Sequence, residues 1–390
     1  MIKSILDTDL YKFSVSYAYM KLYPEAEGTF TFTDRSGEVY NEEFLRDLSV
    51  ELSKLKNLYL KTEEYEWAVR KIKYIPEFYW EWLRGYRFNP GLIEFGLDEN
   101  GHLRIEVTDK KYKVTLYEVP ILAIVSELRN KFFGWDANTD TMLRLLEDKI
   151  NFANQEQLYF SEFGTRRRYS SNIHEDIVRT LKKKCPIYCT GTSNVYFAYK
   201  YNMTPQGTFP HEWIMFHAAI GGYKKANQRA LEAWQKVYHG NLGIALIDTY
   251  TTDVFLSEFS MELALLFRGV RQDSGDEIEV GNKILDRYQE HGIDPTTKTI
   301  VFSNALDFKK YSRIARYFRG QCIVRAGIGT NLTCDTGLPG YKPANIVMKS
   351  SKVRMSPREP WQETLKISDD PGKHTGSDEE YKIACHQLGI

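Results

Sequence analysis

Residues 243–250 read GIALIDTY, four consecutive apolar residues closed by an aspartate and a threonine. A short apolar run bounded by glycine and polar groups suits a strand buried on both faces. Working outward, the same asymmetry recurs in GVRQDSG (269–275), TIVFSNALD (299–307), IVRAGIGTN (323–331) and ANIVMK (344–349). Upstream it recurs in PIYCTGTSN (186–194) and GTFPHEW (207–213). Each run starts apolar and finishes on a residue that can bind or react: Thr192, His211, Asp248, Asp273, Asn304, Gly329 and Lys349. Helical stretches separate the runs, as in β-α units around parallel strands. Seven such units predict an α/β fold with a β/α barrel, whose strand ends open on one face where an active site forms. His211 is expected at a strand exit, with Glu212 and Trp213 opening the next helix.

The first half reads differently. Apolar residues fall at helical spacing from Tyr11 to Tyr23 and from Glu42 to Tyr59, and GTFTFTDR between them alternates like a strand. GHLRIEVTD and KYKVTLYEVP read as further strands, the second ending at Pro120 before a helix in ILAIVSELRNKFFGW. The organisation predicted is an N-terminal α+β domain over 1–130, a barrel domain over 131–350 and a C-terminal extension over 351–390 whose tail can rejoin the first domain.

A chain of 390 residues with 42% hydrophobic residues has a large core to bury. Lys+Arg and Asp+Glu both number 52, so no overall field favours nucleic acid or an anionic membrane, and neither is expected as a partner. Five scattered cysteines without a CxxC pair suit a reducing compartment, and no long apolar segment reads as a leader or membrane span. The expectation is a soluble cytoplasmic protein.

His211 is followed by a glutamate, but the next histidine is His217, six residues on. A helical zinc site needs histidines four apart on one face, so that reading is excluded. Gly327 and Gly329 let the backbone approach a ligand, with the N–H groups of Gly329, Thr330 and Asn331 available to a phosphate; an ordinary tight turn is the alternative. Arg271 and Asp273 alternate and so share one mouth, where a guanidinium beside a carboxylate suits a sugar phosphate. Asp248 reads either as a structural carboxylate or as a Mg2+ ligand. FGTRRRYS (163–170) sets three arginines between Phe163 and Tyr169. Such runs are usually solvated, yet a ring beside a bidentate guanidinium fits an aromatic carboxylate.

Taken together, LDTDLYKF (6–13), FTFTDR (30–35), TLYEVPILAIVSE (115–127), EFGTRRRYS (162–170), GTSNVYFA (191–198), GTFPHEW, RQDSGD (271–276), GIGTNLTCD (327–335), NIVMK (345–349) and KISDDPGK (366–373) resemble the short bacterial nicotinate phosphoribosyltransferases. The resemblance implies an irregular β/α barrel of the type II phosphoribosyltransferase kind, working as a homodimer with shared active sites. It implies that nicotinate and 5-phosphoribosyl 1-diphosphate give nicotinate mononucleotide and diphosphate in NAD salvage, with ATP as co-substrate and Mg2+ as cofactor. His211 would be the phosphohistidine. Arg271 and Asp273 would meet the phosphoribosyl group; Gly327, Gly329 and Thr330 its 5′-phosphate; Asp248 the Mg2+ and diphosphate. Phe163 would stack on the pyridine, Arg166 would pair with its carboxylate, and Asp9 and Tyr11 would reach in from the partner subunit. Nicotinamide-using relatives tend to carry an aspartate where this chain has Ser193, which favours the acid over the amide. The alternatives are a nicotinamide phosphoribosyltransferase, a sugar-phosphate isomerase or lyase on the same barrel, and a non-catalytic nucleotide-binding barrel.

Overall fold

The computed structural model describes residues 1–370 and 374–390. The last three residues of the KISDDPGK motif lie outside them.

Two sheets organise the chain. The first contains β1 (Glu27–Asp34), β2 (Ile93–Leu97), β3 (Leu103–Lys110), β10 (Ile346–Arg354) and β11 (Gln362–Glu363), antiparallel in the order β11-β10-β1-β3-β2. The second is parallel and contains β4 (Phe160–Glu162), β5 (Cys189–Thr192), β6 (Ile244–Leu246), β7 (Gly269–Gln272), β8 (Thr299–Phe302) and β9 (Ile323–Ile328), in the order β5-β4-β9-β8-β7-β6. A two-stranded ribbon, β12 (Lys366–Ile367) with β13 (His374–Thr375), completes the strands.

The parallel sheet and its intervening helices bear out the irregular β/α barrel expected from the sequence. Local chemistry explains where the helices begin. Asp276 accepts from the backbone of Ile278 and Glu279 to start Glu277–Glu290, and Asp307 accepts from Lys310 to start Phe308–Tyr317. Gly269 is required for the pairing of β7 with β8, because a Cβ there would lie 1.9 Å from the Thr299 carbonyl oxygen.

Four readings need correction. ANIVMK is a strand, but it pairs antiparallel with β1 and so belongs to the N-terminal sheet. Residues 207–210 form no strand, and His211 is itself the first residue of the helix His211–Gly221. The strand β4 was not foreseen: it is three residues long, too short to show a period. KYKVTLYEVP is helical, with Lys111–Val114 running through a 3-10 turn into Glu118–Phe132. Pro120 sits in that helix's first turn, where its missing N–H removes no hydrogen bond.

The helix Leu10–Leu22 docks the N-terminal layer on the barrel. Tyr19 meets Trp213 and Phe216 at 5.1 Å between ring centroids. Lys12, fully buried, donates to Glu212 at 2.7 Å and pairs with Glu118. Lys111 donates to the other Glu212 oxygen at 3.1 Å and to Ser350 on β10. Among the described residues no helix is long and apolar enough to cross a membrane.

Candidate active site

A cavity of about 250 Å3 opens between the C-terminal ends of the parallel strands and β10. Five of its lining side chains are cations, Arg35, Arg166, Arg167, Lys349 and Lys366, against two aspartates, Asp273 and Asp370. That imbalance favours a polyanion. A smaller recess of about 50 Å3 shares Arg166, His211, Asp273 and Lys349, and adds Tyr11, Glu118 and Arg271. A third space of about 480 Å3, also lined by Arg271, includes Phe163 and the starts of β6, β8 and β9.

His211 joins the first two. It is buried at the start of its helix, with Nδ1 2.9 Å from Thr249 Oγ1, and Nε2 3.0 Å from Lys366 Nζ and 3.4 Å from Asp273 Oδ2. Lys366 can only donate, so with Nε2 accepting from it the ring proton sits on Nδ1 toward Thr249; the Asp273 carboxylate can only accept, and is met when Nε2 carries a proton. Burial, then the Lys366 charge, holds the imidazole well below its ordinary pKa and keeps it neutral. Burial opposes the charge on Asp273 as well, but Arg271, 3.4 Å away, holds its pKa well below the carboxylate range. Burial, then Lys366, lowers Lys349 to about 7.

The three arginines diverge. Arg166 lines both cavities and lies 3.8 Å from Glu118; Arg167 lines the first; Arg168 is fully buried in a two-pronged bond to Asp7. Asp9 and Tyr11 sit beside the site of their own chain. Ser193 donates to Asp9 at 2.7 Å, and Tyr11 shares the recess with Arg166. Burial raises the Asp9 carboxyl, with Arg166 opposing.

Other expected residues lie outside the His211 cavity. Asp248 is fully buried beneath it, accepting from Ser274 at 2.5 Å, 3.9 Å from Lys366, and pushed up to about 6 by burial. Gly327 is the floor under Phe163: a Cβ would lie 2.3 Å from the ring. Gly329 follows at the end of β9, against the Phe163 carbonyl, and Thr330 opens the next turn; neither lines the cavity. Among the described residues no group of three His, Cys, Asp or Glu side chains converges to hold a metal alone. Sequence reasoning did not single out Lys366 or Thr249. The only sequence sign of Lys366 was its place in KISDDPGK, and nothing local predicts that Lys366 comes to lie beside His211.

Residues 6–126 match the model of the nicotinate phosphoribosyltransferase N-terminal domain, and residues 158–389 match that of the nicotinate phosphoribosyltransferase family itself. The chain belongs to the nicotinate phosphoribosyltransferase family. A Desulforapulum autotrophicum relative named nicotinate phosphoribosyltransferase is 41% identical over 385 residues, 97% of each chain. Nicotinate phosphoribosyltransferase 2 of Pseudomonas aeruginosa is 38% identical, covering 98% of this chain and 95% of its own. The crystal structure of nicotinate phosphoribosyltransferase from Porphyromonas gingivalis superposes with a TM-score of 0.98 at 42% identity over all of both chains. That from Vibrio cholerae gives 0.93 at 32% identity, covering all of this chain and 94% of the other.

Proposed function

We propose that this protein joins nicotinate to 5-phosphoribosyl 1-diphosphate, releasing nicotinate mononucleotide and diphosphate, and couples the step to ATP hydrolysis through a phosphohistidine at His211. The observation that carries the reading is the convergence of a neutral His211, Asp273 and Arg166 on one cavity lined by five cations. The reacting pyridine nitrogen carries no proton, so no strong base is needed. As the bond from C1′ to diphosphate breaks, positive charge develops on the ribose and negative charge on the leaving group. Lys349, Lys366, Arg35 and Arg167 neutralise the diphosphate, while Asp273 faces the ribose. In the ATP half-cycle the unprotonated Nε2 is the lone pair available to a phosphoryl group, with Lys366 beside it to meet the phosphoryl oxygens. Mg2+ carried by the diphosphate would meet Asp273, which lines the cavity, and would supply further charge neutralisation there; Asp248 is buried outside the cavity and does not reach it. The expected working form is a cytoplasmic homodimer.

Purified protein with nicotinate, phosphoribosyl diphosphate and Mg2+ is expected to form the mononucleotide slowly without ATP and faster with it. His211→Ala should abolish nicotinate-dependent ADP release and keep the slow ATP-independent transfer; a variant that retains full coupling refutes the histidine's role. Use of nicotinamide is a second reading, favoured by the Asp9 carboxyl against Ser193, which can accept from an amide. The same assay with nicotinamide separates the two.

A further inference from the structure

The arginine run is held by a polar network that the cavity does not contain. Arg168 donates to both oxygens of Asp7, at 2.7 and 3.1 Å. Asp7 also accepts from the Asn194 side chain at 2.8 Å, and Asn194 gives its backbone N–H to Thr192 Oγ1 at 3.1 Å. Thr192 donates onward to Glu162 at 2.6 Å. The other Glu162 oxygen accepts the Gly164 N–H and lies 3.0 Å from His174 Nε2. Every one of these side chains is buried. The network therefore grips the chain immediately before Phe163 and immediately after Arg167. Between the two grips, Arg166 and Arg167 face the cavity. The turn has little freedom of its own, because a Cβ on Gly164 would lie 2.3 Å from Thr333 and 2.8 Å from the Glu162 carboxylate.

A carboxylate removed from water is tolerated only where donors meet it, and donors fixed by separate elements leave it one place to sit. Here they come from β5, from the helix Ser171–Lys184 and from the turn itself. We infer that Glu162 and Arg168 are positioning residues that set the angle at which Arg166 presents its guanidinium to nicotinate. The inference rests on the proposed function and on the pairing of Arg166 with the nicotinate carboxylate that the resemblance implies.

Three variants test it: Glu162→Gln, which keeps the shape and removes the charge; Arg168→Lys, which keeps the charge and loses the fork; and Thr192→Val, a milder change in case the first two fold poorly. In the first two, the KM for nicotinate should rise about tenfold or more, and that for phosphoribosyl diphosphate, which loses at most the Arg167 contact among its four cations, by about threefold or less. Thr192→Val should give the same split at about threefold. Amide hydrogen exchange over residues 163–168 should quicken in all three. Unchanged nicotinate KM, or an equal rise in both KM values, overturns the inference. If the wild type makes no mononucleotide, the functional proposal fails, and exchange alone then decides: faster exchange at 163–168 supports the grip and unchanged exchange overturns it.

Discussion

Lys349 gives the site a pH response that can be argued from one side chain. Burial and the neighbouring Lys366 lower its pKa to about 7, so the free site loses that cation as pH rises above neutrality. A bound polyanion stabilises the charged form, so binding takes up a proton at Lys349. Affinity for phosphoribosyl diphosphate should therefore fall by up to about tenfold per pH unit above pH 7, until the bound-state pKa is reached. Titration calorimetry from pH 7 to 9 in buffers of different ionisation heat would show both the fall and the proton uptake. Lys349→Arg stays charged throughout and should flatten the profile; an equally steep profile in that variant assigns the response elsewhere. Lys349 was legible as the terminal residue of an apolar run. Lys366 was not, because its approach to His211 depends on where a distant segment folds, which no local pattern encodes.

Between the helices Leu10–Leu22 and His211–Gly221, attachment is ionic as well as aromatic. Lys12 lies between Glu118 and Glu212 with no access to water, and Lys111 completes a set of two positive and two negative charges. Removing Lys12 leaves Glu212 with Lys111 alone among the cations and Glu118 with only Arg166, 3.8 Å away. Lys12→Met should cost about 3–5 kcal/mol of stability, read from the urea midpoint at constant slope. A loss under about 1 kcal/mol, typical of an exposed pair, would mean water enters the set. The same four residues explain a misreading. In KYKVTLYEVP, Lys111 and Thr115 look like alternate positions of a strand, and Glu118 follows. All three turn inward on helical spacing because their partners Glu212 and Lys12 come from elsewhere in the chain. The short barrel strands other than β4, by contrast, were legible because each follows or contains a short apolar run closed by polar residues, as in IAL of β6 and TIVF of β8. ANIVMK has that run as well, and only pairing with β1 places it in the other sheet.

Across the whole molecule, buried carboxylates decide how the fold meets acid. Asp7, Glu162 and Glu212 are fully or almost fully buried, and although burial alone would raise them, their partners hold all three below their ordinary values, Glu212 at about 2. A carboxylate depressed in the folded state stabilises above its unfolded pKa and loses that contribution as pH falls toward the folded one. For Glu212 the difference of about two units is worth roughly 3 kcal/mol, present at pH 7 and lost progressively between about pH 4.5 and 2. Asp248, raised to about 6, works in the opposite sense: the fold holds its proton longer than the unfolded chain, so acidification from pH 6 to 4 favours the fold at this residue. The melting temperature should therefore change little from pH 7 to 5 and drop steeply below about pH 4.5 as the depressed carboxylates protonate. Glu212→Gln should melt lower at pH 7 and lose less on acidification, narrowing the gap to wild type near pH 3. If the two curves run parallel down to pH 3, Glu212 titrates no differently in the fold than in the unfolded chain, and its set with Lys12 and Lys111 is not the electrostatic link between the N-terminal layer and the helix of His211.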